Sequence, residues 1–173
     1  VYSSPISNTN YEVKTPTATT SVRGTVFRMG AGSDNSVTEV ISGKVVAHAK
    51  KNLGKLTELL SGQAMIVSKD GHSQQLEMLA PPEFAHFPQI IETVPIKIPV
   101  ELSDKVIGYE TLIVPIGEDD HHIVSSRRSD SNVLIGDDLP DGRYRLIACA
   151  IDEYGVTGRP ATYEFILNAR PFA

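Results

Sequence analysis

The sequence predicts an all-β chain of two modules, a short β-solenoid followed by an antiparallel β-sandwich. Three observations carry that expectation. A glycine-marked repeat occupies the first half, a proline-rich stretch lies near the middle, and short apolar runs recur at regular spacing in the second half. At 173 residues there is chain enough for two modules, each of a size that buries a workable core.

The repeat comes first. Gly24, Gly43 and Gly62 recur every 19 residues, and their surroundings keep step. Val26, Val45 and Ala64 coincide, as do Phe27, Val46 and Met65. Later in each unit Val40 aligns with Leu59 and Met78, and Ile41 with Leu60 and Leu79. A period this short, with two apolar runs separated by polar residues, is too brief for a helix pair and suits one coil of a β-solenoid. Each coil donates two strands, and three stacked coils share a core. The glycine supplies the positive φ or the close approach that a tight corner demands. The competing reading is a chain of β-hairpins. Residues 53–60 also pass as a helical turn, but their register with Val37, Thr38, Glu39, Val40 and Ile41 favours strand.

In the same register Glu39, Glu58 and Glu77 stack, and like charges on neighbouring strands repel unless solvated or neutralised. A solvated outer face, screened by Lys44, Lys55 or Lys69, is the plain reading. A site for a cation or a basic partner is the sharper one.

Residues around the first glycine carry a family resemblance. Thr15, Pro16 and Thr17 lead to Val22, Arg23, Gly24 and Thr25, with Phe27 two residues on. Glu39 and Val40 follow, then Gly43, Lys44 and Val45, then Gly62 and Gln63. Over residues 11–80 this resembles the signature of the FecR family. The resemblance implies a bacterial envelope protein whose FecR domain lies outside the cytoplasm. Such domains occur in anti-sigma regulators of iron-uptake signalling, and in stand-alone proteins that often carry peptidoglycan-binding modules.

Pro81, Pro82 and Pro88 remove backbone donors and stiffen the chain, so residues 81–88 read as a linker between modules at 1–80 and 89–173. Phe84 and Phe87 are expected to wedge the modules together rather than form a docking site. Beyond the linker, strands are expected at 90–100, 106–116, 122–127, 132–135, 143–151 and 162–167, with turn signals between them. Leu139, Pro140, Asp141, Gly142, Arg143 and Tyr144, followed by the run 148–155, are similar to the late strands of fibronectin type III domains. Tyr144 takes the tyrosine-corner position, and residues 152–155 form the next hairpin turn. The chain has no Trp, which departs from that pattern and makes immunoglobulin/fibronectin-like the safer description.

Composition narrows the function classes. Sixteen Lys and Arg against 21 Asp and Glu give a net charge of −5, which argues against a nucleic-acid partner because phosphate binding rests on clustered cations. No run approaches the roughly 18 to 20 apolar residues of a membrane-spanning helix. The chain opens on Val1 without an initiator Met or signal peptide, as expected of a processed or partial product. Cys149 lies in an apolar run and reads as a buried core residue rather than a nucleophile, leaving the redox compartment open.

Few residues carry candidate chemistry. Glu118, Asp119, Asp120, His121 and His122 combine oxygen and imidazole donors, yet sit between predicted strands and read as a solvated loop. His48, His72 and His86 lie apart and read as surface residues. Residues 125–130 read as a polar turn in which Arg127 and Arg128 are a weak anion-facing pair. No nucleophile elbow, phosphate loop or dinucleotide fingerprint is present. The expectation is a chain without catalytic, cofactor-binding or metal-binding residues.

The function expected is therefore non-enzymatic, an extracytoplasmic binding or scaffold protein of the bacterial envelope. Its partner is an envelope protein or peptidoglycan or another glycan. The alternative is the periplasmic part of a FecR-type transmembrane signalling regulator, although such regulators usually follow the FecR domain with a small signalling domain. A third reading is a fragment of a carbohydrate-active enzyme whose catalytic domain lies elsewhere.

Overall fold

The computed structural model describes residues 2–3, 11–22, 25–52, 54–84, 86–100, 104–117, 125–129, 133–135 and 139–169. All regular elements among them are β-strands, in several open sheets. The chain divides into two compact units, Val1–Met78 and Leu79–Ala173.

The first unit holds β1 (Tyr2–Ser3), β2 (Tyr11–Lys14), β3 (Ala18–Val22), β4 (Val26–Ala31), β5 (Asn35–Ser42), β6 (Lys44–Ala49), β7 (Thr57–Leu60), β8 (Gln63–Ser68) and β9 (Ser73–Glu77). One sheet runs β1-β4-β5-β8-β9 and the other β2-β3-β6-β7. Each 19-residue repeat is one antiparallel hairpin, β4 with β5, β6 with β7, and β8 with β9. Successive hairpins alternate between the sheets, and each then meets the hairpin two places away, β3 pairing with β6 and β5 with β8.

This corrects the expectation of stacked coils. Coils of one hand stack equivalent strands in parallel, whereas every described ladder of this unit is antiparallel. The period was legible, but its two strands bond to each other before they bond to a neighbouring repeat. The expected strand in 53–60 is β7, Thr57–Leu60.

The repeat glycines have the role their spacing implied. Gly43 joins β5 to β6 and Gly62 joins β7 to β8, each carrying the chain from one sheet to the other, and each has φ 86°. A residue with a Cβ resists that left-handed conformation. Gly24, which stands at the corresponding place in the first repeat, lies outside the described residues.

Period-two alternation then sends one side of every strand inward. Phe27, Met29, Val40, Met65 and Val67 from one sheet pack with Ala18, Val45, Ala47, Ala49 and Leu59 from the other. Phe27, Met29 and Met65 thus face a sheet that contributes three alanines beside Val45 and Leu59, and the two inner faces interdigitate. Polar residues in this interior find partners across it. Thr20 and Thr38 are fully buried with hydroxyls 3.4 Å apart, and the Thr17 hydroxyl lies 2.6 Å from Ser36 Oγ and 3.1 Å from the Val67 carbonyl.

The second unit holds β10 (Ile90–Ile91), β11 (Lys97–Pro99), β12 (Val106–Pro115), β13 (Ser125–Ser129), β14 (Val133–Ile135), β15 (Gly142–Asp152) and β16 (Ala161–Leu167). Its large sheet runs β10-β16-β15-β12-β13, antiparallel except where β10 lies parallel to β16, and β11 pairs with β14 in a second sheet. Ile96, Ile98, Tyr109, Ile113, Tyr144, Leu146, Phe165 and Leu167 are among the residues of its core.

Two expectations change here. The single strand expected at 90–100 is two short strands in different sheets, with Pro95 between them to interrupt donor supply. Ser125–Ser129, read in part as a polar turn, is strand β13 and pairs along its length with β12. The turn after β15 is where the sequence placed it. Tyr154 N–H and Val156 N–H both donate to Asp152 Oδ1 at 2.9 Å.

Phe84 and Phe87 pack within this second unit. Phe84 meets Tyr163 edge-on at 4.6 Å between centroids, Phe87 stacks on Tyr163 at 4.7 Å, and Tyr163 Oη donates to the Pro82 carbonyl at 3.4 Å. The Arg159 N–H donates to the Leu79 carbonyl at 2.9 Å, so the proline-rich stretch runs against the edge of the sheet.

A direct consequence concerns the corners. Gly43→Ala and Gly62→Ala should each lower stability by about 1–2 kcal/mol, the cost of a left-handed residue with a Cβ. Gly30→Ala, at an open strand position with nothing within 4 Å of the new carbon, should stay within about 0.5 kcal/mol. Urea denaturation of the three variants checks this, and equal losses in all three would contradict the corner assignment.

Candidate functional site

The acidic residues expected to form a ladder are dispersed. Glu39 lies on β5 opposite Arg28 and Ala64, Glu58 lies on β7 in the other sheet opposite Val46, and Glu77 lies on β9 opposite Gln63. The reason is the hairpin topology, which puts equivalent strands of successive repeats in different sheets. Each carboxylate has its own partner. Lys44 Nζ lies 3.0 Å from Glu58 Oε2, and Gln63 Nε2 donates to Glu77 Oε1 at 2.9 Å.

Glu39 is unlike the other two. It is buried, and Arg28 Nε lies 2.9 Å from its Oε2 with both side chains at most 10% exposed. The pair sits on the face of its sheet opposite Phe27, Met29 and Val40. Two buried opposite charges offset each other's desolvation only while both remain. Sequence reading placed Glu39 on a solvated face because Arg28 is eleven residues away, and only the β4–β5 register brings them together.

The hairpin topology also collects the four hairpin loops at one end of the first unit. Lys50 N–H donates to the Thr17 carbonyl and Lys69 N–H to the Asp34 carbonyl, both at 2.8 Å. Gly71 comes so close to Lys51 that a Cβ on it would lie 2.8 Å from Lys51 Cβ. Exposed Lys50, Lys51, Lys55 and Lys69 therefore share this end. Its two acids, Asp34 and Asp70, keep their charges and are held by local hydrogen bonds. Ser33 donates to Asp34 at 2.9 Å, and the Ser68 hydroxyl and the His72 N–H bind Asp70, holding its carboxyl below the ordinary value.

Beside that end a cleft of about 320 Å³ opens between the sheets, with Lys55, Leu56, Thr57 and Glu58 on one side and Met65, Ser73 and Gln75 on the other. Leu56 is 66% exposed and Leu60 49%. Neither the lysine end nor the cleft was legible in the sequence, since both depend on which loops the hairpins bring together.

The remaining candidates fall as follows. Cys149 is buried in the core of the second unit's sheet, His48 is half-buried on β6, and His72 and His86 are exposed. Arg127 and Arg128 lie on β13 opposite Thr111 and Glu110. The run from Glu118 to His122 lies outside the described residues. Among the described residues no group of three or more His, Cys, Asp or Glu is placed to hold a metal ion, and no helix is long and apolar enough to cross a membrane.

Comparison with known proteins gives one family. The model described as FecR protein matches residues 1–46, a stretch that ends within β6. No curated protein matches the chain. Two solved structures of the extracellular domain of one B. thetaiotaomicron protein are similar to it. The first, described as a one-component system, has 10% identity and TM-score 0.31 over 97% of this chain. The second, described as a hybrid two-component system, has 8% identity and TM-score 0.32 over 96%. The chain spans 31% of the length of each.

The buried pair makes its own prediction. Glu39→Leu alone should cost about 3–5 kcal/mol by leaving Arg28 buried without its counter-charge, and Arg28→Met combined with Glu39→Leu should recover most of that loss. Denaturant titration of the single and double variants measures it. A double variant no more stable than the single would refute the pairing argument.

Proposed function

We propose that this chain is a non-enzymatic, extracytoplasmic recognition segment of the bacterial envelope, serving a FecR-type transmembrane signalling regulator. The observation that carries the reading is the FecR match over residues 1–46, in the same stretch where Val22, Arg23, Gly24, Thr25 and Phe27 carry the signature. The same match supports an envelope or periplasmic location. Catalysis has no part in the proposal.

The second unit is proposed to be a fibronectin-like sandwich. Support comes from Tyr144, whose hydroxyl donates to the Pro140 carbonyl four residues upstream at 2.8 Å, the geometry of a tyrosine corner. The order β16-β15-β12-β13 in one sheet and β11 with β14 in the other also agrees with such a sandwich. A rigid β-module of this kind presents loops and edges for protein contact, and its own presence is what favours the second reading, a cell-wall scaffold that binds peptidoglycan or another glycan.

The two readings separate in one experiment. The intact chain is sedimented with purified peptidoglycan, and in parallel the chromosomal segment encoding it is replaced by a loop while transcription under the regulator is followed. The signalling reading expects no sedimentation and a lost or constitutive transcriptional response. Sedimentation with an unchanged response would overturn it in favour of the scaffold.

A further inference from the structure

Each hairpin of the first unit is completed by the hairpin two places on, so that β3 receives β6 and β5 receives β8. That progression stops at β7. Among the described residues β7 is paired on one side only, to β6. An unpaired strand edge is a template for another chain.

We propose that the free edge of β7 takes up an acidic, extended segment of a partner protein as an added strand. The surroundings of that edge select the occupant. An added strand directs alternate side chains to the two faces of a sheet. On one face they enter the cleft over Met65, Ser73 and Gln75. On the other they meet Leu60, which, like Leu56 at the rim of the cleft, is too exposed to serve this unit's own core. The N–H of Leu60 already donates to Gln63 Oε1 at 3.0 Å, which leaves the Leu56 to Glu58 end of the strand for the partner's backbone.

Charge decides the sign. Lys55 lines the cleft itself, and Lys51 and Lys69 project from the loops packed beside it. The nearest acid on β7, Glu58, is already matched by Lys44 at 3.0 Å. Lys50, Lys51, Lys55 and Lys69 outnumber the two loop carboxylates, Asp34 and Asp70, so this end is net positive on a chain whose net charge is −5, and it attracts acidic partners selectively. Of the unit's other outer strands, β9 offers Gln74, Gln75 and Glu77, with neither exposed leucine nor lysine on the strand, and β2 carries a lysine, Lys14, that its own Glu12 meets at 3.3 Å, so neither has a comparable claim.

The inference names the kind of partner for the recognition role proposed above and rests on that reading, but its test does not. A short synthetic peptide of alternating glutamate and valine is titrated onto the intact chain, beside its lysine and valine counterpart, by calorimetry and by backbone amide exchange. The acidic peptide should bind roughly tenfold or more tightly than the basic one, weaken as salt rises, and protect amides in residues 55–58. The combined variant Lys51→Glu, Lys55→Glu and Lys69→Glu, all surface positions, should lose at least about tenfold in affinity. Equal affinity for both peptides, protection confined to another strand, or indifference to the charge variant would overturn the proposal. Binding of polygalacturonate but not of the acidic peptide would do so too, and would assign the lysines to a glycan. Failure here together with an intact transcriptional response to the segment would remove the edge site alone.

Discussion

The first unit depends on one backbone constraint, the left-handed glycine that follows the β4–β5 hairpin and again the β6–β7 hairpin. Gly43 and Gly62 share φ 86°, and at both the chain leaves one sheet and enters the other. Because the crossing happens every 19 residues, neighbouring repeats do not lie side by side. They face each other, and the core forms between them from the inward side chains of both sheets. The ends of the unit follow from the same constraint. Glycine corners gather at one end and hairpin loops at the other, which is how four lysines from two loops come to share a surface.

Much of this was legible in the residues, and what was not has a common cause. The glycine period, the strand content, the turn from Asp152 to Gly155 and the buried setting of Cys149 are local properties, fixed by spacing, φ preference and hydrophobic runs. Pairing is not local. A repeat with two strands is compatible with stacked coils and with alternating hairpins, and sequence periodicity is the same for both. Which one forms decides whether Glu39, Glu58 and Glu77 stand in a row or in different sheets, and whether Arg28 is a surface charge or the buried counter-ion of Glu39. The candidate site was hidden for the same reason. Lys55 and Gln75 are far apart in sequence, and only the facing of β7 and β9 puts a cleft between them.

The functional account follows the same physical line. The FecR match ends within β6, so the part of the chain that resembles the family includes the first hairpin and its buried ion pair, while the proposed docking edge lies beyond it. On the proposed reading, the glycine-cornered frame carries the family likeness and the strand edge beyond it chooses the partner. The second unit contributes a different kind of surface, stiffened by the aromatic contacts of Phe84, Phe87, Tyr163 and Phe165 and by the Tyr144 hydroxyl.

The central claim is that the repeat is a hairpin which changes sheets at its glycine, and nuclear magnetic resonance of the intact chain tests it most directly. Cross-strand Hα contacts or amide contacts should join residues within each repeat, Phe27 with Val40, Val45 with Leu59 and Met65 with Gln75, as the register requires. Equivalent residues of successive repeats, Val26, Val45 and Ala64, should show none. Contacts running through that equivalent series, with the intra-repeat contacts missing, would mean stacked coils and would contradict the account.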